Sequence, residues 1–178
     1  MDYFNNPIYK LGFYSDISKV FTNMSITWDH SKNAEIYQMS MIVNYSEYGS
    51  EGSIVEKSIQ KVFPLIDYDG VDEIEQIISG EMFFDFIANN IEPSTTVNRK
   101  INDVDLLFTA GAGDLYTYMN MNEPPTGIVQ ERPIHSYITN GYGLFSCRLN
   151  KSQDSIFITE DTKKAIADSL QHLNFIYP

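Results

Sequence analysis

The sequence predicts an α+β fold that is mainly antiparallel β, a sandwich- or barrel-like meander with two or three packed helices. Several segments have strand patterns, the clearest of them alternating apolar and polar residues with period two, and turn residues separate them. Two longer segments and a short one around Leu115, Tyr118 and Met119 change to helical spacing. The 178 residues, of which 43% are hydrophobic and 20% charged, fit one compact domain spanning residues 1–178. No internal repeat or low-complexity tract interrupts this domain.

The first third of the chain predicts a three-stranded meander. A short strand surrounds Leu11, and residues 21–28 alternate apolar and polar side chains as a strand with one buried face does. After a polar turn, residues 34–48 form a long strand, which we expect to be the antiparallel neighbour of residues 21–28. A Gly/Ser-rich loop then leads to a third strand over residues 54–63.

The middle of the chain predicts a helix followed by a strand. Ser79 can cap a helix over residues 80–91, where apolar side chains recur at three- and four-residue spacing. Residues 97–109 return to period two, with Asp103 and Asp105 on the face opposite the apolar side chains. We therefore expect an exposed acidic face on this strand.

The end of the chain predicts a hairpin and a helix. Residues 144–149 and 155–159 have strand patterns, and the polar residues between them indicate a turn. Residues 161–172 carry an apolar stripe at helical spacing, and either Thr159 or Asp161 can cap this helix.

The chain is acidic and contains a single cysteine. With 24 Asp and Glu against 12 Lys and Arg, the formal net charge is -12, which disfavours nucleic acid as a partner. Cys147 has no second cysteine to pair with, and its position within a strand pattern favours burial over a nucleophile paired with His30 or His135. Residues 1–7 lack the features of a secretory signal, and no apolar stretch is long enough to span a bilayer.

One acidic loop is a candidate metal site. Asp67, Asp69 and Asp72 offer the carboxylate oxygens that Ca²⁺ prefers. The loop departs from the EF-hand pattern, because its glycine is the fourth residue and its twelfth residue is Ile78. We expect a solvated turn and no cofactor, with calcium as the alternative.

Two other groups of residues are candidate functional sites. Asp103 and Asp105 lie on one side of a strand at a spacing that glycosidase carboxylate pairs also use, although solvated strand faces produce the same spacing. Aromatic residues make up 13% of the chain and can stack on sugars or peptides. The candidate ligand-binding tyrosines, which lie in or beside a long Gly/Pro-containing loop, are Tyr116, Tyr118, Tyr137 and Tyr142.

Several short motifs occur in an order that resembles a known family. They are Ile26-Thr27-Trp28, Ala34-Glu35-Ile36-Tyr37, Ile78-Ser79-Gly80-Glu81-Met82-Phe83-Phe84, Asp114-Leu115-Tyr116-Thr117-Tyr118, Gln130-Glu131-Arg132-Pro133 and Ile138-Thr139-Asn140-Gly141-Tyr142-Gly143-Leu144-Phe145-Ser146. Together they resemble the outer-membrane-associated lipoproteins of unknown function that Bacteroidetes export, often encoded near TonB-dependent receptors. The resemblance spans roughly residues 24–148 and carries over no catalytic residue.

The resemblance implies a location in the cell envelope, at the outer membrane or the cell surface, through an acylated N-terminal cysteine. The chain has no lipobox, so it is expected to be the C-terminal portion of such a lipoprotein or a soluble relative. Any membrane contact would then depend on a lipid anchor that this chain does not contain.

These observations predict a noncatalytic binding or assembly module at the cell surface or in the periplasm, accessory to an outer-membrane nutrient receptor. Its expected partner is that receptor, a glycan or a peptide. One alternative is a carboxylate-dependent hydrolase of glycans that uses Asp103 and Asp105, with Glu131 as a further candidate. The other alternative is a purely structural domain that supports a neighbouring module.

Overall fold

The structure is a computed structural model that describes residues 8–32, 34–49, 52–68, 70, 73–113 and 148–177. Its strands are β1 Lys10–Leu11, β2 Tyr14–Ser15, β3 Val20–Phe21, β4 Met24–Asp29, β5 Ile36–Tyr48, β6 Ile54–Val62, β7 Ile66–Asp67, β8 Glu73–Ile78, β9 Asn98–Gly111 and β10 Arg148–Ile158. Its helices are α1 Gly80–Asn90 and α2 Glu160–Ser169, and a 3₁₀ turn follows at Gln171–Leu173. The predicted α+β class with mainly antiparallel strands is confirmed.

The strands form three sheets in the described part of the chain. The main sheet has the order β1-β10-β9-β5-β6, and β7 pairs with the start of β5. The pairs β2–β3 and β4–β8 form two small sheets. Within the main sheet only the short β1–β10 contact is parallel.

The centre of the main sheet alternates between a core face and an outer face. The core-facing side chains Met39, Met41 and Val43 of β5 are fully buried, whereas Ile42 and Asn44 between them are half-buried. This is the period-two pattern of a strand with one face on the core. We call the side of the main sheet that carries Ile42 and Asn44 the outer face.

The β4–β8 pair packs on the core face as a second layer. Trp28 of β4 contacts Phe108 of β9 edge-to-face, with 4.9 Å between the ring centroids, and lies 6.4 Å from the ring of Tyr37 on β5. Aromatic pairs in this geometry stabilise a core beyond the area that they bury. Phe63, Phe83, Phe86 and Phe108 are also buried, as the sequence predicts.

Helix α1 begins where the sequence predicts, because Ser79 caps it. The Ser79 hydroxyl accepts a hydrogen bond of 3.1 Å from the Met82 N–H. Gly80 is required at the first position, since a Cβ there would lie 2.3 Å from the carbonyl oxygen of Phe13. The glycine therefore lets α1 approach the backbone next to β2.

Helix α2 has Thr159 as its cap and uses Thr162 to hold the N-terminal segment. The fully buried Thr162 hydroxyl oxygen accepts hydrogen bonds from the N–H groups of Phe13 (2.9 Å) and Tyr14 (3.2 Å). The helix ends at Ser169, and the 3₁₀ turn completes the segment that the sequence predicts as one longer helix. Thr162 thus joins segments that are far apart in the chain.

The predicted three-stranded meander is wrong in one pairing. β5 and β6 are antiparallel neighbours as expected, but β4 pairs with β8 over six residues rather than with β5. Both edges of β5 are occupied by longer partners, β9 and β6. β4 instead buries Ile26 and Trp28 in the second layer.

The predicted hairpin near the end is also wrong for the residues that the structure describes. One strand, β10, continues from Arg148 to Ile158, and Lys151, Ser152 and Gln153 pair with β9 instead of forming a turn. The polar–apolar pattern is interrupted near Ser155, where φ is 58°, because β10 has a bulge there that shifts its register with β9. Residues 144–147 lie outside the described residues.

Arg99 fastens the C-terminal segment to the main sheet. Its side chain is buried, with Nε 2.9 Å from Glu47 Oε1, and its Nη1 donates to the carbonyl oxygen of Leu173 at 2.7 Å. Lys57 Nζ lies 2.6 Å from the second oxygen of the same carboxylate. The pKa of Glu47 is lowered, chiefly by the hydrogen bond from Lys57 and further by the hydrogen bond from Arg99.

Candidate functional site

The outer face of the main sheet contains a polar depression with a volume of about 430 Å³, which we call the polar trough. It runs across four neighbouring strands, β6, β5, β9 and β10. Its lining residues are Asn44, Glu56, Lys57, Ser58, Asn102, Asp103, Asp105, Asp154 and Ser155. The trough is a broad depression that is open to solvent, not an enclosed cavity. An apolar cavity beside Trp28 and Tyr37 has only about 20 Å³, room for about one water.

A bulge in β9 supplies the floor of the trough. Asn44 of β5 lies opposite Asp103 and Tyr45 lies opposite Ile101, so Asn102 is an extra residue in β9. The side chains of Asn102 and Asp103 are half-buried, while Ile101 on one side and Val104 on the other are buried. The bulge therefore presents two successive polar residues on the outer face.

A second bulge, in β10, forms one wall. Gln153 pairs with Leu106 and Ile156 pairs with Val104, so two residues of β10 are opposite Asp105 alone. The N–H of Ser155, one of those two, donates to Asp105 Oδ1 at 2.7 Å. The left-handed backbone of Ser155 allows this bond, which orients the Asp105 carboxylate.

Hydrogen bonds hold the trough side chains in one arrangement. Asn44 Nδ2 donates to Asp103 Oδ1 at 2.7 Å and to Asp105 Oδ2 at 2.8 Å. Asn102 Nδ2 donates to Glu56 Oε2 at 2.8 Å and to Ser46 Oγ at 2.9 Å. Both N–H groups of each amide are thus used within the trough.

The trough consequently has an excess of hydrogen-bond acceptors. Glu56, Asp103, Asp105 and Asp154 are carboxylates, and each carboxylate can accept about four hydrogen bonds. Lys57 also lines the trough, but its ammonium is bound to Glu47, and this hydrogen bond is the main reason that the pKa of Lys57 is raised. A ligand would have to supply N–H or O–H donors or a positive charge.

The placement of Asp103 and Asp105 on one side of a strand is confirmed, but their predicted exposure is wrong. Both are half-buried, because the bulges and Asn44 enclose them. Their oxygens converge on one amide nitrogen and both carboxylates come from the same strand. A glycosidase pair instead flanks its scissile bond from two sides.

The other predicted site residues are not brought together in the described residues. Tyr116, Tyr118, Tyr137 and Tyr142 lie outside the described part of the chain, as do Glu131, His135 and Cys147. Asp67 is exposed at the end of β7, and Asp69 and Asp72 are outside the described residues. Among the residues that the structure does describe, no three His, Cys, Asp or Glu side chains converge as metal ligands.

His30 has a packing role next to β5. Its ring stacks on Tyr68 with 3.7 Å between centroids, and its Nδ1 lies 2.7 Å from the Tyr37 hydroxyl. The Ser31 N–H donates to that same hydroxyl at 2.8 Å. These contacts fasten the turn after β4 to the long strand β5.

Sequence reasoning missed Asn44, Ser46, Glu56 and Asn102 as site residues. A signal existed, because the outward-facing positions of β5 include Gln38, Ser40, Asn44 and Ser46, which is unusually polar for the central strand of a sheet. The bulge that exposes Asn102 leaves no comparable mark in the sequence.

Fold and site together define a β-rich α+β domain with an acceptor-rich trough on one sheet face. Comparisons with protein-family models, curated proteins and solved structures found no match. None of the helices in the described residues is both long and apolar enough to cross a membrane.

Proposed function

We propose that this protein is a noncatalytic binding module and that the polar trough is its ligand site. The observation that carries the proposal is the excess of acceptors: Asn44 and Asn102 use their amide donors on carboxylates and Ser46, and four carboxylates line the trough. Glycan hydroxyls and the cationic side chains of a basic peptide are the ligands with complementary donors.

Preorganisation supports binding at this site. The Asp103 and Asp105 carboxylates are fixed by Asn44, and Asp105 is held again by the Ser155 N–H. A site whose polar groups are already oriented loses less entropy when a ligand binds. The trough residues are located on four strands of one sheet, and side chains on strands are held more rigidly than side chains on a loop.

A binding role at the cell envelope, accessory to an outer-membrane receptor, extends this proposal. It is supported by the motifs that resemble exported Bacteroidetes lipoproteins, such as Ile26-Thr27-Trp28. In that setting the trough would face a glycan or a peptide segment of the receptor or its cargo.

The experiment is a calorimetric titration of the full chain with three probes: a hexalysine peptide, a hexaglutamate peptide and a panel of neutral oligosaccharides. The double variant Asp103→Asn/Asp154→Asn removes two charges from the trough and keeps Asp105, whose two oxygens both accept hydrogen bonds. The matched control, Glu81→Gln/Glu92→Gln, removes two charges from exposed positions on or beside α1.

We expect wild type to bind hexalysine or an oligosaccharide but not hexaglutamate, and the trough variant to bind at least about 10-fold more weakly. The control variant should bind like wild type. Equal affinities for the trough and control variants would contradict the proposal. Cleavage of an oligosaccharide that is lost in Asp103→Asn would replace it by the hydrolase alternative.

A further inference from the structure

In the part of the chain that the structure describes, β6 is an edge strand of the main sheet. Among the described residues it pairs with β5 alone, over nine residues. Ile54, Val55 and Val62 are 59%, 50% and 53% exposed. A long edge strand with exposed apolar side chains can pair with a strand of another chain.

The register shows which backbone groups of β6 face outward. The Phe63 N–H donates to the Met39 carbonyl oxygen at 2.9 Å, and the Gly49 N–H donates to the Ser53 carbonyl oxygen at 3.0 Å. Odd-numbered residues therefore direct their N–H and C=O groups toward β5, since hydrogen-bonded pairs alternate in an antiparallel ladder. The residues that direct these groups to the open edge are Ile54, Glu56, Ser58, Gln60 and Val62.

We propose that this edge pairs with the same edge of a second copy of the chain, antiparallel, about a two-fold axis at Ser58. In this register Ser58 is opposite Ser58 of the second copy, and Ile54 is opposite Val62. All outward-facing N–H and C=O groups of β6 then meet outward-facing groups of the other copy. The two exposed apolar side chains on the outer face cover each other.

Charge selects this register over its neighbours. With the axis at Ser58, Val55 is opposite Lys61, Glu56 is opposite Gln60 and Lys57 is opposite Ile59, so no like charges face each other. A shift of the axis to Lys57 places two copies of Lys57 opposite each other, and a shift to Ile59 places Lys57 opposite Lys61. Like charges directly opposite each other destabilise a strand pair.

The net charge of the chain does not oppose this contact at the strand itself. β6 contains Glu56, Lys57 and Lys61, a formal charge of +1 in a chain of -12. Lys57 is bound to Glu47. In this register no carboxylate of β6 is directly opposite another carboxylate of β6.

The pairing would place two polar troughs side by side, because Glu56 and Ser58 line the trough and also lie on the shared edge. Each main sheet would continue into that of the second copy. The dimer does not depend on what the trough binds, so it is tested without a ligand.

The experiment is sedimentation velocity of the full chain over a range of concentrations, with variants of exposed residues that leave the core unchanged. We expect the wild-type mass to rise from 20.4 kDa toward twice that value. Ile54→Glu and Val62→Glu should each weaken association at least about 10-fold, because a charge then faces an apolar side chain. Ile77→Glu, at a site 53% exposed on β8, is the matched control and should associate like wild type.

The register is tested by rescue. Ile54→Glu/Val62→Lys creates two opposite-charge pairs across the two-fold axis, whereas within one copy these residues are at opposite ends of β6. We expect the double variant to regain most of the association that Ile54→Glu loses. A wild-type chain that stays monomeric, single variants that associate normally, or a double variant without rescue would each overturn the proposal.

Discussion

The two faces of the main sheet differ in what holds them together. Core-facing Met39, Met41 and Val43 of β5 have no exposed surface and interlock with the second layer. On the outer face of the same strand, Asn44 and Ser46 make hydrogen bonds to carboxylates and amides. The difference indicates that apolar burial on the core face contributes most to the stability of the fold, and it is the outer face that we propose for binding.

The two faces differ in stability because apolar burial and hydrogen bonds contribute unequally to the free energy of folding. Burial of an apolar side chain contributes about 1.5–3 kcal/mol, whereas a hydrogen bond contributes about 1 kcal/mol net because water competes for the same groups. A neighbouring pair of residues on β5 can test the comparison directly.

The largest expected effect is that of Met41→Ala, which opens a cavity on the core face. We expect a loss of about 4 kcal/mol in the free energy of unfolding, as for other buried Met→Ala changes. The adjacent outer-face variant Ile42→Ala is the control and should cost about 1 kcal/mol, since Ile42 is half-buried. Urea unfolding of both variants measures this; equal losses would show that the two faces do not differ as proposed.

Arg99 is the charged side chain among the buried residues that the structure describes, and its removal sharpens the comparison. Arg99→Met should cost about 3 kcal/mol, because Glu47 loses its buried partner and the Leu173 carbonyl loses a donor. Hydrogen exchange should rise first in residues 171–177, which Arg99 fastens to β9. Wild-type exchange in that segment would contradict this role.

The next expected effect is a pH dependence that originates at Glu47. Its pKa is lowered from 4.5 in the folded state, chiefly by the hydrogen bond from Lys57 and further by Arg99, so the unfolded chain binds the proton more readily. The stability that this group contributes is present above about pH 4.5 and is lost as the pH falls through the lower folded value. Denaturant midpoints of wild type and Glu47→Gln should therefore converge in acid; a constant difference would contradict this linkage.

The smallest expected effect on stability within the network is that of Asn44→Ala. The substitution removes the donor that Asp103 and Asp105 share, and we expect a cost of about 1 kcal/mol. Thermal unfolding measures it, with Gln38→Ala as the comparison outside the trough: the Gln38 amide donates to the Phe63 carbonyl oxygen at 3.1 Å, so this variant should cost a similar amount. A cost as large as that of Met41→Ala would mean that the trough network is part of what stabilises the fold.

Much of the fold could be predicted from local patterns, since segments predicted as strands became β4, β5, β6 and β9, and Ser79 caps α1 as expected. Strand partners could not be predicted, because the alternation of β4 fits an edge of β5 or of β8 equally well. That choice depends on contacts such as Trp28 with Phe108, which are distant in the chain.

The candidate site was only partly predictable for a related reason. Asp103 and Asp105 could be placed on one face by strand periodicity, but Asn44 and Ser155 reach them through pairing and bulges. A bulge shifts which residues face outward without changing residue type, so one sequence does not reveal it. The predicted tyrosine site at Tyr116, Tyr118, Tyr137 and Tyr142 stays a prediction.

The most direct test of the account is a combined measurement on Asp103→Asn/Asp154→Asn: its melting temperature and its affinity for the probe that wild type binds. We predict a melting temperature close to that of wild type, because Asp103→Asn keeps an oxygen that can accept the Asn44 hydrogen bond, together with at least about 10-fold weaker binding. A melting temperature lowered as far as that of Met41→Ala, or an affinity equal to that of Glu81→Gln/Glu92→Gln, would contradict it.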